Sequence, residues 1–305
     1  MAYYNQLGIA NLDYLIVSHY HEDHIGCVPQ VLRSVRITQV EDRGQSYVSS
    51  FYDAYSLATM GKRTAASVGD TIVLDSTSAT PVTIQVFAVN ANGAATTNED
   101  ALSLSARIGY GSFRAEIGGD LSGDNTEGYI DVETGVGAAI GKLDVYKVHH
   151  HCSSYSSNVA WLAATRPTIA IVSAGDGNTY GHPAADCLDR LHGAGTQTYW
   201  TELGSGATPI PGWDTIAGTT VVNVDIAAMT YTVAHGAQTD VYAIGGAAGT
   251  DGAAPAAPSY AWSKLSSEYH YITCEYVKSI SPNNLMTGNA PPAGKTLHHD
   301  CPSGQ

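Results

Sequence analysis

The 305 residues predict a layered α/β protein, and three observations carry that prediction. Short apolar, β-branched runs recur along most of the chain and are closed by Gly, Asn or Asp, which is how strands are punctuated. Helical patterns sit between some of these runs, which favours packed layers of both elements over an all-β architecture. Acids and imidazoles collect where the runs end, so the polar chemistry is placed at strand ends.

Taken in order, "LDYLIVS" is the first predicted strand, and the stretch "GCVPQVLRSV" that follows its polar turn reads as a helix. Four strand-like runs succeed it: "DTIVL", "VTIQVFAV", "ALSLSARI" and "FRAEIGG". "LDVYKV" and "PTIAIVS" flank "SSNVAWLAAT", a helix opened by Ser and Asn caps. "HPAADCLDRLHGAG" is a further helix, with Pro183 in its first turn and Gly193 at its end. "TQTYWT", "TTVVNVDI", "TYTVA" and "TDVYAIG" complete a main domain over 1–245. Residues 246–258 are Gly-, Ala- and Pro-rich and read as a linker, and 259–305 form a small module rich in aromatic, His and Cys residues.

Charge limits the partners. Against 28 acidic side chains the chain has only 14 Lys and Arg, a net charge of −14. Tight binding to a phosphate polymer depends on clustered cations, so long nucleic acid is not an expected partner, whereas a small anionic substrate is. Five cysteines, Cys27, Cys152, Cys187, Cys274 and Cys301, are scattered without a dense framework. That spacing predicts no disulfide-stapled fold and fits a reducing, cytoplasmic compartment. No apolar run reaches the ~18 residues of a membrane span, so no membrane partner is expected.

The stretch "IVSHYHEDHIG" puts three histidines and two acids directly after a strand. In extended backbone His19 and His21 point to one side, and the following turn can bring Asp23 and His24 back toward the same point. Two imidazoles can hold one divalent ion while Asp23 and His24 face a second, and ions ~3.5–4 Å apart can activate water and neutralise a leaving oxyanion. Such a site needs ligands from elsewhere. Asp120 in "FRAEIGGDLSG" ends a strand at a Gly-Gly turn, where its carboxylate could bridge both ions, and His149, His150 and His151 end another. Which of those three coordinates is left open by the spacing. His182, after a turn and before a helix, is the candidate to protonate a leaving group or hold substrate charge. Tyr180 and Lys147 are lesser candidates for anion contact, and Ser153 and Ser154 read first as helix caps.

The order of H-x-H-x-D-H, a Gly-Asp at a strand end, "KVHHHCS" and "SAGDGNTYGHP" resembles the metallo-β-lactamase fold superfamily, and within it the hydrolase domain of competence-type DNA-uptake proteins and their free-standing relatives, over about residues 8–205. The resemblance implies a four-layer αββα sandwich and a binuclear hydrolase whose metal-bound hydroxide attacks a phosphodiester, and the net negative charge favours a small one. That branch usually reads K-V-P-H-H-G-S, so His149 stands in the proline position and Cys152 in the glycine position. Cys152 is then read as a small residue filling that place. The resemblance implies His150 as a ligand of the second ion with Asp23, His24 and Asp120, and places His151 beside it in catalysis with His182. Two divalent ions are expected, zinc first, with manganese or iron also suited to these ligands.

Two departures from the family pattern matter. No histidine occurs from 25 to 148, so the ion at His19 and His21 must be completed by Asp120, by water, or from "TTNEDALS". There Asn98 is the completing residue expected, with Asp100 as the other candidate. The strands that usually precede the first motif are also absent, so the first sheet is expected to be incomplete. A homodimer covering the gap is the simplest remedy, and replacement by C-terminal strands is its rival. In the tail, His270, Cys274 and Cys301 form a candidate structural zinc site. Alternatives on the same metal site are an idle metal-binding or assembly module, a nuclease and a lactam hydrolase.

Overall fold

The computed structural model describes residues 4, 6–246, 260–263, 265–271, 274–280, 285–288 and 295–298. The first strand, β1 (Asn11–Ile16), pairs in parallel with β2 (Arg36–Asp42), which pairs in parallel with β3 (Arg63–Ala65). Parallel neighbours require crossovers. Here they carry α1 (Glu22–Ile25), α2 (Val28–Leu32) and α3 (Ser50–Ala58), which cover one face of this sheet. Tyr20, Ile25, Val28 and Tyr55 meet Ile37 and Val40 there in a buried core.

The second sheet has eight strands. Its antiparallel part is β4 (Thr71–Leu74), β5 (Val82–Ala88), β6 (Ser105–Tyr110) and β7 (Phe113–Ile117). Parallel strands β8 (Val145–Lys147), β9 (Ile169–Val172), β10 (Gln197–Trp200) and β11 (Asp214–Ile216) extend it. Between them run α4 (Glu133–Ile140), α5 (Val159–Thr165) and α6 (Ala185–Gly193). Side chains alternate across a strand. Tyr146, Ala170, Val172 and Trp200 therefore pack against Val136, Ile140, Trp161 and Leu188 of the helices. Val145, Ile169 and Tyr199 pack the other way, against the hairpins β12 (Thr220–Asp225), β13 (Thr230–His235) and β14 (Gln238–Ala243) through Tyr231, Val233 and Tyr242.

Cross-strand register puts Ala106, Ile117, Ala115 and Val145 on one face of the second sheet. The three-stranded sheet and the C-terminal hairpins therefore lie side by side on that face, and the chain is an αββα sandwich as predicted. Its first sheet has three strands, and β1 has no strand on its outer side among the described residues. A cavity of about 300 Å³ opens between the layers there, lined by Ile16, Ile84, Leu104, Ile108 and Ile117. The C-terminal strands β12 to β14 form a sheet of their own and pair with neither β1 nor β3.

Five elements of the main domain escape the sequence pattern, among them β3 and β11, which are only three residues long. The others are β2, α3 and α4; α4 reads "ETGVGAAI", whose two glycines disfavour a helix, yet Val136 and Ile140 bury it. The helix expected from 26 to 35 begins earlier and is broken, with α1 and α2 separated at Gly26 and Cys27.

The cysteine expectations need correction. Cys152 and Cys187 are joined in a disulfide, and both are fully buried. Cys152 is therefore more than a small residue in a glycine position. Among the described residues no helix is long and apolar enough to cross a membrane. In the tail, β15 (Tyr260–Ser263), β16 (Glu268–Tyr271), β17 (Leu285–Gly288) and β18 (Thr296–Leu297) form a small sheet. Cys274 is disulfide-bonded there, which takes away the thiolate that a zinc site with His270 would need. Cys301 and linker residues 247–258 lie outside the described residues.

Candidate metal centre

Past β1 the chain continues extended through Val17 and Ser18, held by Val17 N–H donating to Glu41 O and by Ser18 O accepting from Leu104 N–H. This delivers His19, wholly buried, to the edge of the second sheet. α1 then turns back and presents Asp23 and His24. Opposite, β7 ends in Gly118 and Gly119. A Cβ on Gly118 would collide with the His149 ring and one on Gly119 with Ser18, and Gly119 has φ +58°. Only glycines let this strand end come close enough for Asp120 to sit between the two halves.

Two groups of ligand atoms share Asp120. In the first, His19 Nε2 is 3.1 Å from His21 Nδ1 and 3.8 Å from both Asp100 Oδ1 and Asp120 Oδ2, and His21 Nδ1 is 2.9 Å from Asp100 Oδ1. In the second, His24 Nε2 lies 3.3 Å from Asp120 Oδ1 and 3.4 Å from Asp23 Oδ2, while His151 Nε2 lies 3.1 Å from Asp23 Oδ2 and 3.6 Å from Asp120 Oδ2. Within each group the ligand atoms all fall within 4.8 Å of one another.

The donor set fits divalent cations. His24 Nε2, His151 Nε2 and Asp100 Oδ1 are buried and make no hydrogen bond, although oppositely charged or ligating atoms surround them. Buried polar atoms without partners are costly, and atoms converging on a common point suit an ion. His151 Nδ1–H donates to Ser173 O at 2.8 Å, which leaves the Nε2 lone pair facing the cluster. Charge agrees with this. Burial would raise the Asp120 carboxyl, but His24, His19 and His151 outweigh it and hold it well below the usual range. Asp23 is likewise held down, by the His151 and His24 imidazoles beside its carboxylate. Burial keeps His19 neutral by lowering it well below its ordinary value.

The structure brings His19, His21, Asp23, His24 and Asp120 together, and two other expected residues lie elsewhere. Asn98 is not in the cluster: its Oδ1 accepts from Ala101 N–H at 2.9 Å, which shapes the turn that presents Asp100 instead. His151, not His150, stands among the ligand atoms, and His150 Nε2 approaches Asp120 only to 4.0 Å. The cause is backbone. His150, His151 and Cys152 have φ of +47°, +53° and +62°, successive left-handed residues whose turn carries His151 toward the cluster.

That turn rests on a buried network the motifs did not announce. His149 Nδ1 is 2.7 Å from Glu133 Oε1 and its Nε2 is 3.2 Å from Glu116 Oε1. Glu133 also accepts from the backbone N–H groups of Ser157 and Asn158. Burial would lower His149, but the Glu116 and Glu133 carboxylates outweigh it and raise it to about 9. An imidazole in a proline position is the one sequence signal that could have exposed this arrangement. Behind the turn, the Cys152–Cys187 bond ties it to α6.

His182 lies beside the cluster, its ring centroid 5.6 Å from that of His150 and 6.1 Å from that of His151. Burial, then His150 and His151, push it down to about 4, so it is neutral at neutral pH. Tyr180 stacks on it and is exposed. Lys147 faces the cavity between the sheets and donates to Val148 O, and Ser154 caps no described helix but donates to the Asp186 carboxylate.

The profile of the Metallo-beta-lactamase superfamily matches residues 2–176. The chain belongs to this superfamily. It is 29% identical over 189 residues to ComE operon protein 3 of Bacillus subtilis (strain 168), covering 60% of this chain and 23% of that protein. Over 53 residues it is 40% identical to Recombination protein 2 of Haemophilus influenzae, 17% of this chain and 7% of that one. The chain thus spans less than a quarter of the length of the curated relatives it matches. Among solved structures, a mutant of CmlA beta-hydroxylase aligns with a TM-score of 0.40 at 11% identity, over 63% of this chain and 43% of that chain.

Proposed function

We propose that this chain is a binuclear metal-dependent hydrolase of small phosphodiesters. The observation that carries the reading is Asp120, whose carboxylate stands between two ligand groups, one with His19, His21 and Asp100 and the other with Asp23, His24 and His151. Two divalent ions, zinc foremost, would supply a water of lowered pKa and positive charge against the developing oxyanion.

The chain's own residues do the rest. Asp120 and Asp23 stay ionised, so together they offset charge that neutral imidazoles cannot. Ser173 O and Glu133 fix the turn that carries His151. His182, neutral at its lowered value, offers a single ring N–H to a phosphoryl or leaving oxygen, and serves as a hydrogen-bond donor rather than a store of acid protons. The adjoining cavity of about 430 Å³ includes Glu22, Asp23, Asp100 and Asp120 and no Lys or Arg. One phosphate can be neutralised at the ions, whereas a run of phosphates would meet carboxylates.

The test is turnover of bis(4-nitrophenyl) phosphate by chelated protein and after restoring Zn²⁺, Mn²⁺ or Fe²⁺, beside 4-nitrophenyl phosphate and a chromogenic lactam. The reading expects diester cleavage that vanishes on chelation and returns with metal. Inactivity with every metal, or faster monoester or lactam cleavage, would overturn it.

A further inference from the structure

The walls of the metal cavity are aromatic, and their arrangement bears on what the substrate carries beyond its phosphate. Tyr180 is 81% exposed, yet its ring is set parallel to His182, with centroids 5.8 Å apart and planes 13° apart. His182 is in turn nearly parallel to His151 at 6.1 Å and 19°. Three offset-stacked rings therefore lead from a ligand imidazole out to solvent. Across the cavity Phe51, on the first turn of α3, is 38% exposed, and Tyr47 presents its ring edge-on to His21 at 6.0 Å. Tyr129 completes the rim beside His150, at 5.9 Å. No Lys or Arg lines this cavity among the described residues.

Large exposed rings grouped at the mouth of a polar cavity mark a recognition surface. What they recognise must be flat and uncharged, because the rim has no cation for a second anion. Resting on the phosphodiesterase reading, we infer that the substrate is a monoanionic diester whose spectator ester arm, the one not expelled, bears an aromatic ring that packs on Tyr180, with Phe51 closing the other side. Stacking of a ring on such a platform is sequence- and substituent-tolerant, so the class is aryl or heteroaryl phosphodiesters rather than one compound.

Two substrates with the same leaving group isolate that arm: bis(4-nitrophenyl) phosphate and methyl 4-nitrophenyl phosphate. After division by their uncatalysed rates, kcat/KM should favour the aryl spectator by about tenfold or more, the scale of one stacked ring. Tyr180→Ala combined with Phe51→Ala should collapse that ratio severalfold, while Tyr180→Phe, which keeps the ring, should preserve it. Calorimetry with phosphinates, which cannot be hydrolysed, gives a second readout on the Zn²⁺-loaded protein. Diphenylphosphinate should bind about tenfold tighter than dimethylphosphinate, and the double alanine variant should lose the difference. Equal normalised rates and equal affinities would overturn the inference, as would Tyr180→Phe behaving like Tyr180→Ala. Should neither ester be cleaved with any metal, the hydrolase reading fails, and the phosphinate affinities still decide the aromatic one.

Discussion

Replacing Glu133 by Gln removes one charge behind the ligand turn and leaves its shape nearly unchanged. In the native chain His149 is held at about 9 against an ordinary 6.5. At about 1.36 kcal/mol per unit, that elevation is worth roughly 3 kcal/mol of folding free energy. Because the folded value lies above the unfolded one, this stability is fully present below about pH 6.5 and is lost as pH rises through about 9. Breaking a buried charge pair from one side costs on the order of 3–5 kcal/mol. Glu116 stays beside His149 and is the larger cause of its elevation, so Glu133→Gln should forfeit only part of these figures, about 1–2 kcal/mol at pH 6, and the gap should at least halve by pH 10. Urea unfolding of chelated protein measures this, followed by tryptophan fluorescence because the Trp161 ring lies 4.8 Å from His149. The variant should also retain the ion near His151 less well, since His149 anchors that turn. A gap of equal size at pH 6 and pH 10, or an NMR titration placing His149 near 6.5, would refute the argument.

Other consequences follow from the same geometry. Reducing the Cys152–Cys187 bond, or Cys187→Ser, opens a cross-link spanning 35 residues. It should lower stability by about 3–4 kcal/mol, read as a fall in melting temperature on adding dithiothreitol that the variant no longer shows. Asp100→Ala should lose one bound metal equivalent by elemental analysis. Asn98→Ala should keep both ions and cost only about 1 kcal/mol, as a lost turn hydrogen bond would. His151→Ala should reduce metal content to about one equivalent, whereas His150→Ala should leave two; the reverse outcome would restore the assignment suggested by family resemblance.

The fold and most of the ligand set were legible because they rest on short-range rules. Alternation along "LDYLIVS" and the spacing of His19, His21, Asp23 and His24 are properties of one strand and one turn. Asp120 was legible for a similar reason, since a Gly-Gly turn at a strand end can serve close approach. What escaped depends on distant chain meeting. His149 and Glu133 are sixteen positions apart and Cys152 and Cys187 thirty-five, and nothing local tells a burial partner from a surface residue. That His151 rather than His150 stands among the candidate ligand atoms has a subtler cause. Three adjacent imidazoles differ only in direction, and that direction is set by left-handed backbone at residues whose side chains disfavour it. Asn98 and Asp100 differ by two positions in a turn, and the asparagine serves the backbone while the aspartate is presented to the cluster.

The sharing of Asp120 between two ions is tested most directly by a crystal of the zinc-soaked protein, with anomalous difference density measured at the zinc edge. The account predicts two peaks flanking the Asp120 carboxylate, one inside His19, His21 and Asp100 and the other inside Asp23, His24 and His151. A single peak, or a second peak bound by His150 with His151 turned away, would contradict it.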